Sequence, residues 1–191
     1  ICCQVAIPGQ DGEQADLSGV KLEKCDRLEL PEVLDHLHER ASRVRSGTDD
    51  EKVGSGRAAI DLVPAPLRPI AVRLVEFLTY EVPFDLDRLG IPSDPFGSVM
   101  LSSVGQFDVE QAFAPLVPAS RCPLVVLPGQ IREAAVAKDG EVQVRKVMTI
   151  SATADHRCYD GYQGGRFVRG LRAMVESPRE HFPPPESWQT A

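Results

Sequence analysis

Apolar residues occupy every second position at Met148, Ile150, Ala152 and Ala154, then recur at helical spacing at Tyr162, Phe167, Val168, Leu171, Met174 and Val175. Period two predicts a half-buried strand and period 3.6 an amphipathic helix, so the residues between them form a strand-to-helix corner, with the strand broken by Gly161. Asp139-Gly140, flanked by Val136 and by Val142 and Val144, predicts a tight hairpin turn ahead of that strand. Cys122 to Ile131 and Ile1 to Ile7 are apolar runs of strand length. A helix is predicted from Pro31 to about Arg45: proline suits a first turn, Glu32 complements the N-terminal dipole, and Val33, Leu34, Leu37, Ala41 and Val44 make one face. Its Arg40, Arg43 and Arg45 read as charges favoured at a helix end, with contact to a coenzyme phosphate as the weaker option.

Between these elements the pattern changes twice. Ser46 to Gly56 is a polar linker, and Pro64, Pro66 and Pro69 then lead into a helical stripe of Ile70, Ala71, Leu74, Val75 and Leu78 closed by Pro83. Three roles compete for that stripe: a packing element over the sheet or a subunit contact, a lid, and a membrane-surface helix. Arg73 and Glu76 give mixed charges where a membrane-surface helix wants a basic face, which favours packing. The loop from Asp85 to Phe96, with Pro92 and Pro95, is placed where a lid would hinge.

A length of 191 residues with 42% hydrophobic content is that of one ordinary domain with material for a core, and neither disorder nor a membrane span is indicated. The net charge of −7 argues against a nucleic-acid partner held through phosphates. Five scattered cysteines, Cys2, Cys3, Cys25, Cys122 and Cys158, lack C-x-x-C spacing and predict a reducing, cytoplasmic compartment. No metal cluster is expected, since His36 and His38 stand two apart on a helix and so on different faces.

The corner holds the chemistry. An unperturbed imidazole titrates at about 6.5 and so suits proton transfer near neutral pH, which makes His156 the candidate base of the corner. Cys158, two residues on, is expected to point away and is set aside as a nucleophile.

The string His156-Arg157-x-x-Asp160-Gly161 resembles the signature of the dihydrolipoamide acyltransferases of the 2-oxo acid dehydrogenase complexes, which share the fold of chloramphenicol acetyltransferase. Gly97 to Gly105 resembles the family's second signature, and Ser102 precedes His156 by 54 positions (156 − 102), about the family's spacing. The apolar segment from Ala114 to Ala119 and the run that follows continue the likeness.

The resemblance implies a two-layer α/β sandwich with a mixed sheet, in which residues 1–191 form a partial acyltransferase catalytic domain with an inserted helical segment at about 57–96. Ile1 to Ile7 aligns with a strand in the middle of that domain, so about a third of the usual domain has no counterpart here. It further implies His156 as general base, Ser102 as oxyanion donor and Asp160 as organiser of the loop. Coenzyme A is the expected substrate, and the lipoyl group is expected on a separate domain or protein, because no lipoyl domain or subunit-binding segment is recognisable.

A homotrimer is implied, with the active site between subunits and with other components of a 2-oxo acid dehydrogenase complex as partners. The proline-rich Phe182 to Trp188 offers no clear docking helix for a cage. The alternative class is a non-catalytic scaffold of the same trimeric fold; retention of all three polar residues favours the enzyme.

Overall fold

The two predicted hairpin strands and the N-terminal run meet in one sheet. The computed structural model describes residues 1–8, 15–46, 63–81 and 96–182. Strands β1 (Cys2–Pro8), β2 (Ala15–Lys21), β3 (Met100–Ser102), β4 (Leu124–Lys138) and β5 (Glu141–Ala154) lie in the order β2-β1-β3-β4-β5. The outer pairs, β1 with β2 and β4 with β5, are antiparallel, while β3 runs parallel to both β1 and β4. The sheet is therefore mixed, as expected.

Helix α1 (Leu30–Arg45) supplies the second layer. A capping box starts it: Glu29 N–H donates to Glu32 Oε2 at 2.9 Å while the Glu29 side chain accepts from the third helical N–H, and Pro31 sits in the first turn. Val33, Leu37, Ala41 and Val44 pack on Cys3, Val20, Leu22 and Leu101, which come from β1, β2 and β3 and the residue after β2. Leu34 lies outside this cluster and is exposed, so the buried face is narrower than expected. Arg40 is not a mere helix-end charge: its Nη1 donates to the Lys21 carbonyl at 2.6 Å and ties α1 to the end of β2.

The β4–β5 hairpin turns at Asp139 (φ 56°) and Gly140 (φ 84°), the positive-φ pair a two-residue turn requires. Lower down, the register slips between Pro128 and Ile131, a bulge that coincides with a close crossing. Val104 N–H donates to Pro128 O at 3.0 Å and Gln130 N–H to Val109 O at 2.9 Å, so the chain leaving β3 runs on against β4. A Cβ on Gly129 would stand 2.1 Å from the Glu110 carbonyl oxygen, so only glycine fits there.

Helix α2 (Arg68–Tyr80) forms where the proline-led stripe predicts it, held at its far end by a 3.1 Å ion pair from Glu81 to Arg121. Leu67, Ile70, Leu74 and Phe77 are exposed. Residues 47–56 of the linker, 85–95 of the hinge loop and 183–188 of the tail lie outside the described residues.

Cys2 is buried at the start of β1, between β2 and β3, and burial, with Cys3 adding to it, pushes its thiol up to about 11 from 9.0. The unfolded chain thus loses this proton first, and stability is full below pH 9.0 and falls as pH rises toward 11. We expect the denaturant midpoint to drop across that interval, and the drop to be shallower in Cys2→Ala; a midpoint flat with pH would contradict this.

Candidate active site

β5 ends at Ala154, opposite Leu124, and Asp155 N–H extends the ladder by donating to Pro123 O at 2.8 Å. His156, Arg157 and Cys158 then form a turn rather than further strand, and all three are exposed. Cys158 thus sits on the same open corner as His156, which corrects the expectation that it points away; two residues apart they would share a face on a strand as well.

Helix α3 (Gly161–Glu176) begins at once, because Asp160 is its cap. Gln163 N–H donates to Asp160 Oδ1 at 2.8 Å, and Asp160 N–H donates back to Gln163 Oε1 at 3.0 Å. Gly161 is therefore the first helical residue and not the strand breaker expected. Removing the cap in Asp160→Ala should cost about 1 kcal/mol of stability, with Asp160→Asn close to the parent because asparagine caps equally well. Thermal melts of the two variants check this; equal loss in both would refute the capping role.

The apolar stripe of α3 is present but unburied. Tyr162, Phe167, Val168, Met174 and Val175 are all exposed, as are Val142 and Val144 on the hairpin.

The corner carries a second device that the sequence reading did not single out. Asp155 Oδ1 accepts from Arg157 N–H at 2.9 Å, and the Arg157 guanidinium closes on both carboxylate oxygens at 2.7 to 3.1 Å. Those hydrogen bonds hold the Asp155 carboxyl down at about 2 from 3.8. The Asp155 carbonyl meanwhile accepts from Cys158 N–H at 2.9 Å and Tyr159 N–H at 3.1 Å.

Ser102 closes the short strand β3, half-buried, while Ser103 is exposed just beyond it. Leu101 faces the α1 layer, so alternation sends Ser102 to the opposite side of the sheet. Continuing the register from Leu101↔Val126 and Leu127↔Ser151 puts Ser102 level with Ser151, two strands away. That is about 10 Å across the sheet, and from Ser151 to Ala154 is about another 10 Å along β5 before His156 is reached. One chain therefore places His156 and Asp160 together at one corner and Ser102 away from them.

Among the described residues no group of three or more histidine, cysteine or acidic side chains is placed to hold a metal, and no helix is long and apolar enough to cross a membrane.

Residues 95–182 match the model of the 2-oxoacid dehydrogenases acyltransferase catalytic domain. A dihydrolipoyllysine-residue acetyltransferase component of the pyruvate dehydrogenase complex from Rickettsia bellii is 27% identical over 82 residues, 43% of this chain and 19% of the relative. In structure, the chain resembles the probable dihydrolipoamide acetyltransferase of Listeria monocytogenes with a TM-score of 0.57 at 17% identity, over 93% of this chain and 56% of that one. It also resembles the Azotobacter vinelandii dihydrolipoamide acetyltransferase, a protein studied for the role of a serine, a histidine and an asparagine in its catalytic mechanism, with a TM-score of 0.53 at 18% identity over 94% and 55% of the two chains. The chain thus spans about a fifth of the curated relative and just over half of the solved neighbours. The fold is that of these acyltransferase catalytic domains, and residues 95–182, a little under half of the chain, match the model of the 2-oxoacid dehydrogenases acyltransferase catalytic domain.

Proposed function

We propose that the protein is an acyltransferase that moves an acyl group between coenzyme A and a thiol such as dihydrolipoamide. The observation that carries this reading is that one family-matched stretch holds Ser102, His156 and Asp160 and leaves the imidazole open to solvent at a clamped corner. His156 takes the proton of the acceptor thiol, and the thiolate attacks the thioester carbonyl. The Ser102 hydroxyl donates to the oxyanion that forms. As the tetrahedral adduct collapses, the imidazolium returns its proton to the leaving thiolate. Asp160 keeps the corner in place by capping α3.

The separation of Ser102 from His156 within one chain supports a site assembled between subunits, with His156 facing the serine of a neighbour in a homotrimer. The exposed apolar stripe of α3 and the exposed valines of the hairpin fit such an assembly, since apolar surface of this extent is ordinarily covered. Coenzyme A serves as substrate, the lipoyl arm comes from a separate domain or protein, and a reducing, cytoplasmic setting and other components of a 2-oxo acid dehydrogenase complex complete the proposal. Residues 57–96, including α2, are an insertion into a partial catalytic domain.

The test is acetyl transfer from acetyl-coenzyme A to dihydrolipoamide by the assembled protein. Turnover that depends on His156 is expected. An assembled protein that binds coenzyme A without turnover would instead be the scaffold form of the fold.

A further inference from the structure

We infer that Asp155 is a positioning residue for His156, acting with Arg157 as a clamp that fixes the backbone on either side of the base. The inference rests on the proposed role of His156. Asp155 and Arg157 are its immediate neighbours, and they are bonded to each other across it: the carboxylate takes the Arg157 N–H at 2.9 Å and the guanidinium at 2.7 to 3.1 Å. A carboxylate that accepts the N–H two residues ahead forces a turn at the intervening residue, which is His156. The side-on guanidinium then locks the carboxylate that makes the turn.

The clamp is anchored to the sheet and not free in solvent. Asp155 N–H is bonded to Pro123 O, and its side chain is only 18% exposed where that of Arg157 is 90% exposed. The Asp155 carbonyl gathers the N–H groups of Cys158 and Tyr159, so every backbone bond that shapes the turn converges on Asp155. Arg157 spends its guanidinium on this carboxylate, which assigns it to holding the corner rather than to gripping a substrate anion.

The experiment compares Asp155→Ala, Asp155→Asn and Arg157→Ala with the parent and with His156→Ala, in the assembled protein, by steady-state acetyl transfer and by amide exchange at Arg157. Misplacing a base by about 1 Å costs up to about 100-fold in rate, so Asp155→Ala should lower kcat by 10- to 100-fold with KM for acetyl-coenzyme A unchanged. Asp155→Asn, whose Oδ1 still accepts from the Arg157 N–H, should recover most of that kcat. Exchange at the Arg157 amide should quicken in Asp155→Ala and stay near the parent in Asp155→Asn. Parent-like kcat in Asp155→Ala, or Asp155→Asn as impaired as Asp155→Ala, overturns the clamp.

If Asp155→Ala does not assemble, Arg157→Ala removes the guanidinium that locks the carboxylate and leaves the backbone N–H bond to Asp155 in place; kcat and amide exchange at position 157 both equal to the parent there overturn the part of the clamp assigned to Arg157. Should His156→Ala keep full turnover, the base assignment falls. Arg157 amide protection that is equal in Asp155→Ala and the parent would overturn the clamp independently of any activity.

Discussion

His156→Ala should lose acyl transfer by 100- to 10,000-fold while the protein assembles as before. A positioned general base contributes about that factor, equivalent to roughly 3 to 5 kcal/mol of transition-state stabilisation. The fold has little at stake in the imidazole: His156 lies exposed in a turn whose shape comes from Asp155 and whose exit is capped by Asp160. Exposed substitutions of this kind usually shift stability by no more than about 0.5 kcal/mol. The measurement is single-turnover transfer beside a melting curve and a sedimentation profile. Equal rates in parent and variant would remove His156 from the mechanism, whereas a lost rate with a lost assembly would show only that the corner is structural.

The second large effect falls on the fold. Gly129→Ala puts a methyl group 2.1 Å from the Glu110 carbonyl oxygen and 3.1 Å from that of Thr149, with backbone on both sides and no flexible side chain to yield. The crossing segment must move off β4, which breaks the bonds of Val104 and Gln130 and disturbs the exit of β3 next to Ser102. Overpacking alone costs about 1 to 3 kcal/mol, and each broken backbone bond adds about 1 kcal/mol, so we expect a loss of at least about 3 kcal/mol and a fall in transfer rate together. A variant with parental stability would mean that the Glu110 segment does not cross there. Gly140→Ala is the contrasting case: it meets nothing within 4 Å and is strained only by its φ.

The residues whose roles depend on near neighbours were legible in the sequence. Asp139-Gly140 declared its hairpin, Pro31 and Glu32 their helix start, and the strand-to-helix change around His156 its corner, because each rests on interactions within a few positions. The mixed sheet followed from family resemblance rather than from pattern. Features set by distant chain segments were not legible. Gly129 sits in an apolar run that reads as plain strand, and its necessity comes from Glu110 crossing over it. The remoteness of Ser102 from His156 follows from strand order, which no local pattern encodes. The clamp was hidden for a different reason: Asp155 and Arg157 stand beside the histidine in the motif, yet the bond from the Arg157 N–H to the Asp155 carboxylate depends on the backbone of the turn, which residue types alone do not specify. The α3 stripe was read correctly as amphipathic, but periodicity says nothing about whether its partner surface lies in the same chain.

The three residues of β3 have a consequence for how the molecule folds. Each antiparallel pair in the sheet joins strands close in sequence, and the hairpin of β4 and β5 closes through a turn of two residues. Among the described residues only β3 stitches the two pairs together, by matching Cys2 with Met100 and Met100 with Val125. The first of those matches spans nearly a hundred residues of chain, and closing so long a loop for a three-residue strand gives little return until α1 is already seated. The two hairpins should therefore form early and separately, and their joining at β3 should be the slow, committing step of folding.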